Sequence, residues 1–286
     1  MATSTLGPIV AALIVTPDLS KSVQAYCDHL HQHAHSSDHL TLKQARQWNL
    51  LGLCGARMIW LANELGERWL GLVEDKSAKV VDPFQHTGWM SLEISVQGVD
   101  ALHSALKDSS FKIIGEPANL EASNNFRVMQ VIGPAGEVLN LTELQAQVPA
   151  SERPFARCSV DRLSGLVMLT SDHDRTLSFY EQFNGTAGQL DIEPKHPVTT
   201  IQLKENCRLE INQLEDLGSR PTGKGGLPAG IAMITLFAES IPSGVEKHKV
   251  SLGGGANRGG ALFRGEADEL LEVIVRKTTD NGKVVA

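Results

Sequence analysis

Leu139-Asn140-Leu141-Thr142-Glu143 decides how this chain is read, because its apolar–polar–apolar core returns three more times. Leu70-Gly71-Leu72-Val73-Glu74 precedes it, and Leu209-Glu210-Ile211 and Leu271-Glu272-Val273 follow. The central residues 71, 140, 210 and 272 lie 69, 70 and 62 positions apart. A period of that size marks one supersecondary unit copied along the chain. The centres read Gly, Asn, Glu and Glu, so the copies share an architecture but not a chemistry.

Working outward, each string closes a unit that opens with an apolar strand. The first opening strand covers residues 9–15, the second 88–94, the third 163–169 and the fourth 230–236. After the first, Asp18 or Ser20 caps a helix carrying Val23, Tyr26 and Leu30 on one face. After the third, Ser171-Asp172 leads into Leu177, Tyr180 and Phe183, and the Asp-to-Tyr spacing of eight is the same in both. Residues 99–106 form the second helix, with Leu102 and Leu106 four apart; the fourth is weaker, since Ile241-Pro242-Ser243-Gly244 interrupts before residues 245–250. Short strands separated by Gly, Pro and Asn turns complete each unit.

Hydrophobic residues make up 42% of the 286 and charged residues 21%, the balance of an ordinary globular protein of about two domains. A net charge of −7, with scattered bases, excludes nucleic acid and anionic membrane as expected partners. The four cysteines form no CxxC pair and read as free thiols; with no targeting segment visible, the cytoplasm is the expected location. Residues 145–158, QAQVPASERPFARC, read as a linker between two pairs of units. The expected division is 1–146, a linker at 147–158, 159–278, and a tail at 279–286.

Three strings carry a family resemblance: Val15-Thr16-Pro17-Asp18 with Ala25-Tyr26, Ser171-Asp172 with Phe179-Tyr180, and residues 133–139, Gly-Pro-Ala-Gly-Glu-Val-Leu. Together they resemble the vicinal oxygen chelate superfamily of glyoxalases, bleomycin-resistance proteins and extradiol dioxygenases. That resemblance implies an α+β fold. Its four βαβββ modules would pair into two curved mixed-sheet domains with helices outside, and a homodimer would be expected. Metal-dependent relatives take ligands from first and last strands of paired modules. Carried over by position, the first-strand places are Ala11, Ser91, Gly165 and Met233, and the last-strand places are Gly71, Asn140, Glu210 and Glu272. None is His, so the resemblance implies chemistry without the His-ligated metal, and no cofactor.

Candidate site residues follow from this. Glu210 and Glu272 would converge if equivalent strands face one pocket; two carboxylates in a partly dry pocket share a proton, or hold a divalent metal. Their bland alternative is pairing with Arg208 and Arg264. Glu93 is the third candidate for proton transfer, and Ser91, Asn140, Thr142 and Trp89 are candidates for substrate contact. His29, His31, His33, His35 and His39 could grip zinc on a continuing helix, but the apolar pattern fades after Leu30 and a solvated turn is expected. Residues 223–226 and 253–260 are glycine-rich, yet Lys224 is followed by Gly, so they read as turns and not as a phosphate loop. The expected function is a glyoxalase-like lyase or isomerase acting on a small oxygenated metabolite by carboxylate acid/base chemistry. A non-catalytic binding or sequestration protein is the main alternative, and an extradiol-type dioxygenase a lesser one.

Overall fold

The computed structural model describes residues 6–120, 123–145, 155–183, 187–190, 198–242, 248–251 and 257–276. The first module runs through β1 (Leu6–Thr16), α1 (Leu19–His29), β2 (His33–His39), α2 (Leu42–Gln47), β3 (Arg57–Ala62) and β4 (Arg68–Glu74). The second holds β5 (Gly88–Val96), α3 (Val99–Leu106), β6 (Lys112–Leu120), β7 (Ser123–Ile132) and β8 (Val138–Leu144). The third holds β9 (Val160–Thr170), α4 (His173–Glu181), β10 (Ala187–Leu190), β11 (Val198–Gln202) and β12 (Arg208–Gln213). The fourth holds β13 (Gly230–Ala238), β14 (His248–Ser251), β15 (Asn257–Arg264) and β16 (Leu270–Val275). Expected helix 245–250 is not found as such: 243–247 fall outside the described residues, and the remainder opens β14. Among the described residues no helix is long and apolar enough to cross a membrane.

Local chemistry explains the repeated helices. Asp18 accepts from the Lys21 backbone N–H and Asp172 from that of Arg175, satisfying donors that a helix start leaves open. Behind each cap, a strand-end hydroxyl meets a helix hydroxyl: Thr16 with Ser22 at 2.7 Å and Thr170 with Thr176 at 2.8 Å.

The strands form two eight-stranded mixed sheets. Sheet one runs β14-β15-β16-β13-β1-β4-β3-β2, and sheet two runs β10-β11-β12-β9-β5-β8-β7-β6. Within a module the first and last strands pair in parallel; between modules, β1 pairs antiparallel with β13 and β5 with β9. Module one therefore shares a sheet with module four, and module two with module three. This corrects the expected division into 1–146 and 159–278, since each of those spans contributes half of both sheets. Of the expected linker, Arg157 is tied to Glu67 and Asp161, and the 279–286 tail lies outside the described residues.

Modules one and two, and modules three and four, meet back to back instead. One core is shared by the inner faces of both sheets, joining Ile14, Leu72, Ile234 and Val273 with Leu92, Leu141, Leu166 and Ile211. Two buried hydrogen bonds cross it. The Tyr26 hydroxyl of α1 donates to Glu137 at 2.8 Å, and the Tyr180 hydroxyl of α4 donates to Glu269 at 2.8 Å. Each carboxylate also closes its own turn by accepting from Ala135 or Ala267 N–H, at 2.9 Å in both. Only glycine fits beside them: a Cβ on Gly133 would sit 2.1 Å from Glu137 Oε1, and one on Gly265 would sit 1.9 Å from Glu269 Oε1.

Burial pushes both carboxyls up to about 7. A raised carboxyl value favours the folded state most where the group is protonated. This contribution is whole below the ordinary glutamate value and lost as pH rises through about 7. The urea midpoint is expected to fall from about pH 5 to about pH 8, and a Glu137→Gln/Glu269→Gln variant to flatten that fall. Equal slopes in the two proteins would refute the assignment.

Candidate functional site

Strand alternation decides which side chains leave the shared core. Leu70 and Leu72, Leu139 and Leu141, Leu209 and Ile211, and Leu271 and Val273 all enter it. The residues between them, Gly71, Asn140, Glu210 and Glu272, therefore face outward into the concave side of each sheet. Gly71 and Glu272 share the cup of sheet one, while Asn140 and Glu210 share the cup of sheet two. The expected convergence of Glu210 with Glu272 is thus corrected: the module pairing puts them on opposite sides of the molecule.

Glu210 has a different partner. Arg208 precedes it by two on β12, on the same face, and Glu93 reaches both from β5. Arg208 Nε donates to Glu93 Oε2 at 3.0 Å and Nη2 to Oε1 at 2.6 Å, while Nη2 also contacts Glu210 Oε1 at 2.7 Å. Glu93 and Gly165 are cross-strand partners, and a Cβ on Gly165 would lie 1.9 Å from Glu93 Oε2. Gly165, a first-strand place in the repeat, supplies space for this carboxylate and no ligand of its own. Burial and the charge of Glu93 push the Glu210 carboxyl up to about 7, against the opposing pull of Arg208. Burial of Arg208 is outweighed by the two carboxylates, which raise its value further.

Polar neighbours extend the cup floor. Asn140 donates to Ser91 Oγ at 3.0 Å and accepts from Gln130 Nε2 at 3.0 Å. Thr142 lies further along β8 on the Asn140 face, and its buried hydroxyl has no hydrogen-bond partner among the described residues. The same holds for Thr200 Oγ1, directly across from Glu210, and for Asn212 Oδ1, two residues beyond it. Trp89 does not join them. Its indole is buried in the shared core and donates to the Leu270 carbonyl at 3.0 Å, which corrects its assignment to substrate contact.

The cup of sheet one is mostly apolar. A cavity of about 120 Å³ lies between Leu13, Met58, Trp60 and Met233, with Glu272 and Arg68 among its polar walls. Glu272 accepts from Trp48 Nε1 at 3.0 Å and from the Thr235 hydroxyl at 3.2 Å. Arg264, its expected surface partner, pairs with Asp268. The histidine run lies apart from both cups: His29 ends α1, and residues 33–39 form an exposed edge strand, correcting the expected turn. Gly225, in one glycine-rich turn, donates its N–H to Asp75, and Gly259 and Gly260 lie inside β15.

This geometry has solved counterparts. Glyoxalase I from Zea mays superposes with a TM-score of 0.62 at 14% identity, covering 93% of this chain and 92% of its own. A putative dioxygenase from Bacillus subtilis matches with a TM-score of 0.62 at 12% identity, covering 96% of this chain and 86% of its own. The chain has the vicinal oxygen chelate fold. Neither a protein-family model nor a curated protein matches the sequence.

The vicinal oxygen chelate fold implies a divalent ion, and the donor set here does not fit one. Arg208 lies between the two carboxylates of cup two, where a cation would have to sit. Cup one offers Glu272 beside Thr235 and Gly71. Among the described residues no group of three or more His, Cys, Asp or Glu could hold a metal ion. Sequence reasoning missed Arg208 as a central group, along with Thr200, Asn212 and Trp48. Only the alternation Arg208-Leu209-Glu210 carried a signal, placing two opposite charges on one strand face.

A ¹³C carboxyl NMR titration is expected to place Glu210 near about 7, and Glu93→Gln to move its midpoint downward by removing a like charge. An unmoved midpoint would break the proposed coupling. Gly165→Ala should destabilise the chain by about 1–3 kcal/mol through overpacking, read from chemical denaturation; a neutral effect would contradict the close fit.

Proposed function

We propose that cup two is a glyoxalase-like lyase or isomerase site, moving a proton on a small oxygenated metabolite without a His-ligated metal. The observation that supports this reading is the division of labour around Arg208. Two of its nitrogens clamp the nearly buried Glu93, while Glu210, with 19% of its side chain exposed, is held by one contact and remains open to the cup. Arg208 Nη1 takes no part in these three contacts.

In this mechanism Glu210, ionised, takes a proton from the carbon beside a carbonyl. The C–H pair becomes a C=C bond, the carbonyl pair moves onto oxygen, and Arg208 Nη1 donates to the resulting enolate. With a 2-hydroxy carbonyl substrate, the hydroxyl proton passes to the enolate oxygen and protonated Glu210 returns its proton to the former carbonyl carbon, so that the hydroxyl carbon becomes the new carbonyl, which is isomerisation; where the next carbon carries a leaving group, the enolate re-forms its carbonyl and expels that group with its bonding pair, which is elimination. A carboxyl near neutrality suits both halves of this cycle, because neither giving nor taking the proton is steeply uphill. Glu93 acts as a positioning residue that fixes the guanidinium plane. Ser91, Asn140 and the unpaired hydroxyl of Thr200 supply polar contacts for substrate oxygens.

The test is solvent exchange. Small 2-oxo and 2-hydroxy carbonyl compounds incubated with the chain in D₂O are expected to gain deuterium at the carbon beside the carbonyl, followed by ¹H NMR. Glu210→Gln should slow exchange of the responding compound by about 10²–10⁴-fold. No exchange with any compound, or equal exchange by Glu210→Gln, would defeat the reading.

A further inference from the structure

We propose that Arg220 is the centre of a binding site for a halide ion, in a small cavity beside the shared core where the two sheets meet. The site lies outside both cups and does not depend on the proton-transfer reading.

The cavity has a volume of about 30 Å³ and is lined from both sheets, by Trp89 of β5 and by Ile231 of β13. Arg220, another lining residue, stands in the segment that joins module three to module four and bridges the junction. Its Nη2 donates to the Trp89 carbonyl of sheet two, and its Nη1 donates to the Ile231 carbonyl of sheet one at 3.3 Å. A guanidinium carries five N–H groups in a fixed fork. With two committed to these carbonyls, three remain. The buried Nε has no hydrogen-bond partner among the described residues.

What sets Arg220 apart is a missing counter-charge. Arg208 meets Glu93 and Glu210, and Arg157 meets Glu67 and Asp161. Arg220 meets carbonyl oxygens instead, and no carboxylate lies within ion-pair distance of it among the described residues. Two carboxylates do line the same cavity, but both are committed. Asp268 accepts from Arg264 at 3.0 Å, and Glu269 accepts from the Tyr180 hydroxyl and the Ala267 N–H. Burial draws the Arg220 value down to about 10, which still leaves the group charged at neutral pH. A charge taken out of water is costly unless a group of opposite sign meets it.

Chemistry and size then name the occupant. The open groups of Arg220 are all donors, and Thr87 and Thr222 line the same cavity with hydroxyls that can also donate. Donors around an uncompensated cation suit an anion. A space of about 30 Å³ has room for a particle near the size of a water molecule. A monatomic halide fits; a sugar phosphate or a carboxylic acid metabolite does not. Thr222 and Arg264 are exposed and bring the rim of the cavity to solvent. Because the site exists only when both sheets are in place, the bound ion stabilises the folded chain.

The experiment is thermal unfolding of the 286-residue chain in sodium gluconate, with chloride or bromide replacing gluconate at constant ionic strength so that screening is unchanged. The midpoint is expected to rise by about 3 °C when the halide reaches ten times its dissociation constant. Arg220→Gln should unfold at a lower temperature in gluconate, since it loses two carbonyl contacts, and should show no rise with halide. An arginine that served only as a tie between the sheets would lower the midpoint in the variant yet give no halide-dependent rise in the parent. Crystals of the parent soaked in bromide supply a readout independent of the variant's folding: an anomalous peak is expected in contact with the Arg220 guanidinium. A parent midpoint indifferent to halide, an equal rise in Arg220→Gln, or bromide found only at other positions would each overturn the proposal.

Discussion

Two tyrosine hydroxyls hold this architecture together. Tyr26 and Tyr180 each carry a hydrogen bond from a helix on one sheet to a turn belonging to the other. A buried hydroxyl or carboxyl left alone costs on the order of 1–3 kcal/mol, so these pairs disfavour any arrangement that separates them. They fasten module one to module two, and module three to module four, through the core. With these pairs of modules joined back to back, their open sheet edges must find partners elsewhere. The first strands of modules two and three pair with each other, and those of modules one and four close the remaining edge. Two cups facing away from each other are the result.

The cups then diverge because their residues do. At matching places in the repeat, Glu210 stands where Gly71 does, and Glu93 stands where Thr235 does. Cup two concentrates charge: two carboxylates and a guanidinium, half-buried, with glycine opposite to give one carboxylate space. Removing charges from water is expensive, and such a cluster persists only with close mutual hydrogen bonds. Burial first, and then the charge of Glu93, lift the Glu210 carboxyl toward neutrality. Cup one keeps a single buried carboxylate among sulfur and aromatic groups under a folded-over cover. One fold thus presents a cluster of charged side chains on one side and a mostly apolar cavity on the other.

Much of the fold was legible in the residues. The four strand-end strings marked the last strands, Asp18 and Asp172 marked the helix starts, and residues 99–106 were expected and found as a helix. Alternation alone told that Glu210, Glu272 and Asn140 leave the core. Where reading failed, the missing information was long-range. Glu93 and Arg208 are 115 positions apart, and Trp48 and Glu272 are 224 apart. Residues 33–39 looked like a solvated turn because an exposed edge strand has no buried face to impose alternation.

The sequence by itself determined the repeating unit, its strands and most of its helices, because these depend on contacts and periodicities within a few residues. It also determined which side chain of each closing strand is turned from the core. Only the tertiary structure decided which modules share a sheet, and hence that Glu210 meets Arg208 and Glu93 while Glu272 meets Trp48. Local pattern carries no record of which edge a strand will find, since any of the four opening strands is apolar enough to pair with any other. The choice was made by close fits between distant residues, Gly165 beneath Glu93 and tyrosines into facing turns, which exist only once the chain has folded.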